Sequence, residues 1–226
     1  MFTGIIEAVG SVTSVDTQQG DIRLRIHTAA LDLSDVRLGD SIATNGVCLT
    51  VVELPGDGFV ADVSRESLAH TQIGSWSKGT LVNLEKAMLP TTRMGGHIVT
   101  GHVDGLGTVK QRQADARSVR FVIAPPATLQ KYIAAKGSVT VDGVSLTANA
   151  LTSEGFELNI VPHTAAETTL HSAQVGQKVH LEVDIIARYL EQLLHGGQSH
   201  ADHSGKTQAT ASSIDQAFLA KNGFWK

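Results

Sequence analysis

One cysteine, Cys48, stands in 226 residues, so no intramolecular disulfide can form and no cysteine framework exists for a metal cage. That usage fits a reducing compartment. Lysine and arginine number 18 against 22 aspartates and glutamates, a formal charge of -4. No basic cluster offers the electrostatic footprint that nucleic acid requires. Met1 to Glu7 has no basic leader and meets an acid before any signal-length apolar run, and no later stretch reaches the roughly 18 apolar residues of a membrane span. The sequence also lacks a phosphate-binding glycine loop, a dinucleotide fingerprint and a nucleophile elbow. These absences predict an unprocessed, soluble, cytoplasmic chain that binds neither nucleic acid nor membrane. His195, His200 and His203 have no carboxylate or sulfur companions and read as solvated side chains, so no metal site is expected.

What is present is a repeat. Thr3-Gly4 recurs as Thr100-Gly101, and the blocks that follow replay at the same offset of 97 positions. Ser41 to Thr50 becomes Ser138 to Thr147, Gly58-Phe59 becomes Gly155-Phe156, and Gly79 to Glu85 becomes Gly176 to Glu182. A constant register means no net insertion between the copies, hence a tandem duplication of a domain. Each copy has about 100 residues, enough to bury its own core.

Ile22 to Ile26 and Leu81 to Glu85 alternate apolar and polar residues, the period of strands with one buried face. Asn45-Gly46 and Asp142-Gly143 are strong two-residue hairpin signals. The pattern predicts an all-β chain: two small barrels, mostly strand with short helices, plus a C-terminal helix. Ser64 is expected to cap a helix running toward Gly74, and Thr164 with Glu167 to form a capping box. Pro125 to Gly137 reads as a helix opened by prolines and closed by glycine. Asp184 can cap a helix in which Ile186, Leu190, Leu193 and Leu194 share a face. The predicted division is a barrel over residues 1–97, a second over 98–184, an association helix over 185–195, and a mobile polar tail with an apolar end over 196–226.

Two matched sets of small polar residues fall on turns and strand ends: Thr3, Gly4, Cys48, Thr50, Asp62, Ser64 and Thr71 in one half, and Thr100, Gly101, His102, Ser145, Thr147, Val161, His163 and Thr168 in the other. Such groups suit a planar heterocycle with a polyol, and two pockets imply two like ligands. Taken singly, each Ser or Thr can equally be satisfying a strand end.

Met1-Phe2-Thr3-Gly4-Ile5-Ile6, Asn45 to Val51, Gly95-Gly96-His97 with Thr100-Gly101-His102, and Asp142 to Thr147 together resemble the riboflavin synthase alpha chain. The resemblance spans residues 1 to about 190. It implies two similar six-stranded Greek-key barrels, a homotrimer, no added cofactor, and dismutation of two 6,7-dimethyl-8-ribityllumazine molecules by four-carbon transfer, giving riboflavin and 5-amino-6-ribitylamino-pyrimidinedione. Lumazine synthase is the further protein partner that it suggests. It places ligand-binding segments at Thr3, Gly4 and Ile5; at Val47, Cys48 and Leu49; and at Asp62, Val63, Ser64, Arg65, Glu66 and Ser67. In the second copy it places them at Thr100, Gly101 and His102; at Lys136; at Ser145, Leu146 and Thr147; and at Ile160, Val161, Pro162, His163, Thr164 and Ala165.

The reaction needs a proton removed from the C7 methyl of one lumazine and attack at C7 of the other. Candidate catalytic residues are Ser145, Thr147, His102 and Asp184 on the second-barrel side and Cys48 with His97 on the first. His102 is the natural base near neutral pH. Against these roles, Cys48 can be a small buried hydrophobe, Asp184 a helix cap, and His97 a turn residue. Cys48 stands at the repeat position of Ser145, and Glu66 at that of His163, so the copies are not equivalent. The rival readings are a lumazine- or flavin-binding antenna-type protein without turnover, and a purely structural double barrel.

Overall fold

The computed structural model describes residues 1–18 and 20–195. Met1–Gln192 forms one compact unit; the remainder belongs to a second, of which Leu193–His195 is described. The expected tail over 196–226, with His200 and His203, lies outside the described residues, as does the His195 side chain. Among the described residues no helix is long and apolar enough to cross a membrane, and no three His, Cys, Asp or Glu side chains converge as metal ligands would.

The first half contains β1 (Ala8–Gln18), β2 (Asp21–His27), β3 (Ser41–Thr44), β4 (Val47–Glu53), β5 (Gly58–Val63), α1 (Arg65–His70) and β6 (Leu81–Lys86). The six strands close into an antiparallel barrel in the order β1-β2-β5-β4-β3-β6. Alternation decides which residues face in. Ile22, Leu24 and Ile26 of β2 join Ile42, Phe59, Val82 and Leu84 in the core. Arg23 and Arg25 between them face out, Arg23 to Glu53 and Asp62, Arg25 to Asp57 at 2.9 Å. Each buried apolar side chain stabilises the barrel by roughly 1.5–3 kcal/mol.

The second half replays this with β7 (Gly105–Asp115), β8 (Ser118–Ala124), β9 (Ser138–Val141), β10 (Val144–Thr147), β11 (Ala150–Thr152), β12 (Gly155–Ile160), α2 (Pro162–Ala166) and β13 (Lys178–Val183), then adds α3 (Ile185–His195). Its sheet has seven segments, in the order β10-β9-β13-β7-β8-β12-β11. The end segments β10 and β11 are consecutive pieces of one strand, the counterpart of β4, so the sheet curls closed as the first does. The break falls at Ala148, whose repeat mate Val51 sits at a register shift between β4 and β5. At both places the chain bonds elsewhere: Gly39 and Lys136 donate to the carbonyls of Val51 and Ala148, at 2.9 and 2.6 Å.

Both hairpin turns take the expected left-handed backbone, with φ +46° and +79° at Asn45-Gly46 and +46° and +82° at Asp142-Gly143. The two glycines also meet: a Cβ on Gly46 would lie 2.8 Å from the Gly143 nitrogen, and one on Gly143 2.7 Å from the Gly46 nitrogen. The turns therefore stack tip to tip on a pseudo-twofold axis. Asn83 and His180, repeat mates, stitch across it. Asn83 donates from its amide to the Asp142 carbonyl and accepts from the Thr169 N–H; His180 pairs through Nδ1 with the Asn45 carbonyl and accepts at Nε2 from the Gln72 N–H. A carboxamide and an imidazole thus fill the same dual role.

Three helical expectations need correction. Residues 125–137 form only a 3-10 turn at Gln130–Tyr132. The chain must return to the barrel by Gly137, and it does so with Ile133 buried and Lys136 at φ +67°; tertiary bonding overrides a short segment's marginal helicity. α1 is capped by Ser64 but ends at His70. The Thr71 hydroxyl turns back to the Ser67 carbonyl at 2.6 Å, and Gln72 is drawn to His180. In α2 the cap position is Val161 and Pro162 opens the helix, so Thr164 lies inside it and makes no capping box with Glu167. Proline's fixed φ and absent donor suit the first helical position. Asp184 does cap α3, its carboxylate accepting from the Ile186 N–H at 3.0 Å.

Candidate active site

Two buried glutamates organise the site. Glu85, on β6, accepts from the Thr3 N–H at 2.7 Å, the Thr3 hydroxyl at 2.8 Å and the Gly4 N–H at 2.9 Å. Its mate Glu182, on β13, holds Thr100 at 2.6 and 2.8 Å and Gly101 at 3.0 Å in the same way. Burial pushes both carboxyl pKa values up, and the three donors oppose it. Each glutamate thereby pins the segment that leads into its own barrel.

Those leaders then cross over. The Gly4 carbonyl accepts from the Ser145 N–H at 2.8 Å, and the Gly101 carbonyl from the Cys48 N–H at 2.8 Å. A side chain cannot replace either glycine, because a Cβ would lie 2.5 Å from the Ser145 Cβ or 2.6 Å from the Cys48 Cβ. Phe2 and Val99 bridge on the axis between the leaders. The sequence sets, which put Thr3-Gly4 with Cys48, are consequently exchanged: Thr3, Gly4 and Ile5 lie with Ser145, and Thr100, Gly101 and His102 with Cys48.

Around Cys48, the pairing of Val51 with Ala61 brings β4 alongside the end of β5 and the start of α1. Asp62, Ser64, Arg65 and Glu66 are exposed there and Ser67 is half-buried, whereas Val47, Leu49 and Val63 are core residues that offer only backbone. His102 is exposed and follows Gly101, whose carbonyl accepts from the Cys48 N–H. Around Ser145, Leu146 is half-buried and Thr147 exposed; Val161, Pro162 and His163 are exposed, Thr164 and Ala165 half-buried, and Ile160 is core. Lys136 is exposed at a left-handed position where its mate is Gly39, a strained choice for a long side chain.

His97 belongs with Ser145, not with Cys48 as expected. Its Nδ1 is 2.7 Å from the Ser145 Oγ, and its Nε2 is 3.4 Å from the hydroxyl of Thr140 on β9. Burial lowers the His97 pKa, and the charge of Asp184 partly restores it. An imidazole held largely neutral against a serine hydroxyl can act as its base. Thr140 and the two glutamates were not singled out from the sequence. The glutamates carried a signal: both sit at one repeat position inside matched strand blocks.

A concavity of about 680 Å³ lies beside the first leader and is lined by Thr3, Ile5, Glu85, Lys86, Met88 and Arg93 among others. Its counterpart beside the second leader, about 230 Å³, includes His102, Asp104, Ile185 and Arg188, because there the chain continues as α3. Neither is lined by Cys48 or Ser145; the reactive side chains sit at the crossed leaders, where His97 meets Ser145.

The sequence matches the lumazine binding domain family twice, over residues 3–87 and 100–184. It is 49% identical over 224 residues to riboflavin synthase of Photobacterium phosphoreum, covering 99% of both chains. With riboflavin synthase of Bacillus subtilis it shares 40% over 224 residues, 99% of this chain and all of the other. The chain belongs to the riboflavin synthase family. It is an enzyme, a transferase of riboflavin synthesis. Crystal structures of LumP with 6,7-dimethyl-8-(1'-D-ribityl)lumazine and with riboflavin superpose with TM-scores of 0.73 and 0.75 over 81% of this chain and 99% of theirs. At 24% identity these share its fold. In this family member both copies carry the crossed leader, but only the second carries a hydroxyl–imidazole pair.

Proposed function

We propose that the chain catalyses the dismutation of two 6,7-dimethyl-8-ribityllumazine molecules, moving four carbons from one to the other to give riboflavin and 5-amino-6-ribitylamino-pyrimidinedione. The observation that carries this reading is the duplicated, crossed-leader site with a Ser145–His97 pair on one side only. Two like sites suit two identical heterocycles, and their different side chains suit opposite fates for the two. Much of the acceleration then comes from holding the rings in a reactive approach. The exposed groups at Asp62 to Glu66 and at Val161 to His163, with Thr147, Lys136 and His102, are the proposed contacts to ring and ribityl chain.

Both sites are open at the surface, and α3 presents Ile186, Tyr189, Leu190, Leu193 and Leu194 exposed. Its polar residues face the second barrel instead: Arg188 pairs with Asp104, and Glu191 with Lys131 and Tyr132. An apolar face turned outward fits association, and a homotrimer in which one chain's first barrel meets a neighbour's second would close the sites. The division at residues 97, 184 and 195, a cytoplasmic location and lumazine synthase as partner complete the proposal.

Mixing the purified protein with the lumazine and following riboflavin by absorbance tests it. Riboflavin formed with half-stoichiometry is expected, and Ser145→Ala should lower kcat far more than it raises KM. Saturable binding with no riboflavin over hours would sink the reading and favour the antenna-type binder.

A further inference from the structure

We propose that Thr140 is a positioning residue for His97: its hydroxyl accepts a hydrogen bond from the imidazolium that forms when His97 takes the proton of Ser145. The geometry supports this directly. Each ring nitrogen of His97 faces one hydroxyl oxygen, Nδ1 that of Ser145 and Nε2 that of Thr140. A neutral imidazole has one N–H and one lone pair, so it donates to one hydroxyl and accepts from the other. The imidazolium has two N–H groups, and both hydroxyl oxygens then serve as acceptors. Thr140 is 1% exposed, its β-branched side chain is stiff about χ1, and among the described residues its hydroxyl has no other partner. The oxygen is therefore held where only His97 uses it.

The internal repeat supplies a comparison. The mates of Thr140 and Ser145 are Ala43 and Cys48, neither of which carries a hydroxyl. The two hydroxyls that flank His97 both belong to the second barrel and are both missing from the corresponding places of the first. Among the described residues, the charged group acting on His97 is Asp184 at the head of α3, which also favours the imidazolium. In the step itself the Ser145 O–H bond breaks, the proton goes to Nδ1, and the oxygen keeps the electron pair for an electrophilic carbon of the bound heterocycle. Only that consequence rests on the function proposed above.

The test follows the His97 ring nitrogens by nitrogen-15 NMR through a pH titration of the full chain, in the wild type, Thr140→Val and Thr140→Ser. Valine keeps the shape and removes the acceptor, so the His97 pKa should fall by about one unit, a tenfold loss of proton affinity; serine should restore it. In turnover, the acid limb of the kcat profile should move to lower pH with the valine variant while KM stays in place. A His97 titration that is the same with valine, or that serine does not restore, overturns the assignment. Because the NMR readout needs no turnover, a displaced His97 titration in a chain that makes no riboflavin would leave Thr140 assigned and the proposed reaction refuted.

Discussion

The Asp142–His180 pair at the barrel junction makes stability depend on pH in a way the other repeat can test. Asp142 is buried and accepts the His180 backbone N–H at 2.7 Å; burial raises its pKa from 3.8 to about 7. His180 is buried with Nδ1 and Nε2 both engaged, and burial lowers its pKa from 6.5 to about 4. A carboxyl whose folded pKa exceeds its unfolded one keeps a proton the unfolded chain has released, so stability falls as pH rises from about 4 to about 7. At about 1.36 kcal/mol per pH unit, Asp142 costs roughly 4 kcal/mol across that window. The histidine has the opposite sign: its contribution is full above pH 6.5 and is lost as pH falls toward 4, roughly 3 kcal/mol in all. The two slopes oppose each other over most of the same range. The mates of these residues are Asn45 and Asn83, which do not titrate. Denaturant midpoints from about pH 4 to about pH 7 should therefore show Asp142→Asn gaining stability with rising pH relative to the wild type, and His180→Asn losing it. The double variant, which copies the first repeat, should parallel the wild type over that range. Glu85, Glu182 and His97 titrate in all four chains, so the differences between curves carry the test. Single variants that run parallel to the wild type at every pH would refute the reasoning.

Thr44 carries the one buried side-chain oxygen without a hydrogen-bond partner among the described residues, and its mate Val141 is fully buried. Thr44→Val should raise stability by on the order of 1 kcal/mol, and Val141→Thr should lower it comparably, read from thermal or denaturant unfolding. Glu85→Gln replaces one acceptor oxygen with a donor facing the Thr3 and Gly4 donors; a loss of roughly 2–4 kcal/mol and faster hydrogen exchange at Gly4 and Ser145 are expected, and unchanged exchange would contradict the clamp. Leu190→Glu with Leu193→Glu, or truncation before Asp184, should give a monomer of low activity in sedimentation and turnover assays. A fully active monomer would remove the case for shared sites.

What the sequence could reveal tracks the range of the interactions. Asn45-Gly46 and Asp142-Gly143 were legible because a positive-φ pair is a local demand that few residues meet, and the constant offset carried the strand plan from one copy to the other. Asp184 was legible for the same reason, since a cap bonds two residues away. The helix expected over 125–137 failed because the deciding bond, Lys136 to Ala148, is made to another strand. The site was half legible. Its residue types could be named, but not that each leader crosses to the opposite hairpin, because Gly4 meets Ser145 across 141 positions. Periodicity carries no information at that distance. The consequence is functional: His97 lies in the linker between the copies, so a plain duplication supplies an imidazole once. A tandem repeat held by a pseudo-twofold axis tends toward two equal sites, and the linker imidazole adds to the differences already set by Cys48 against Ser145 and Ala43 against Thr140.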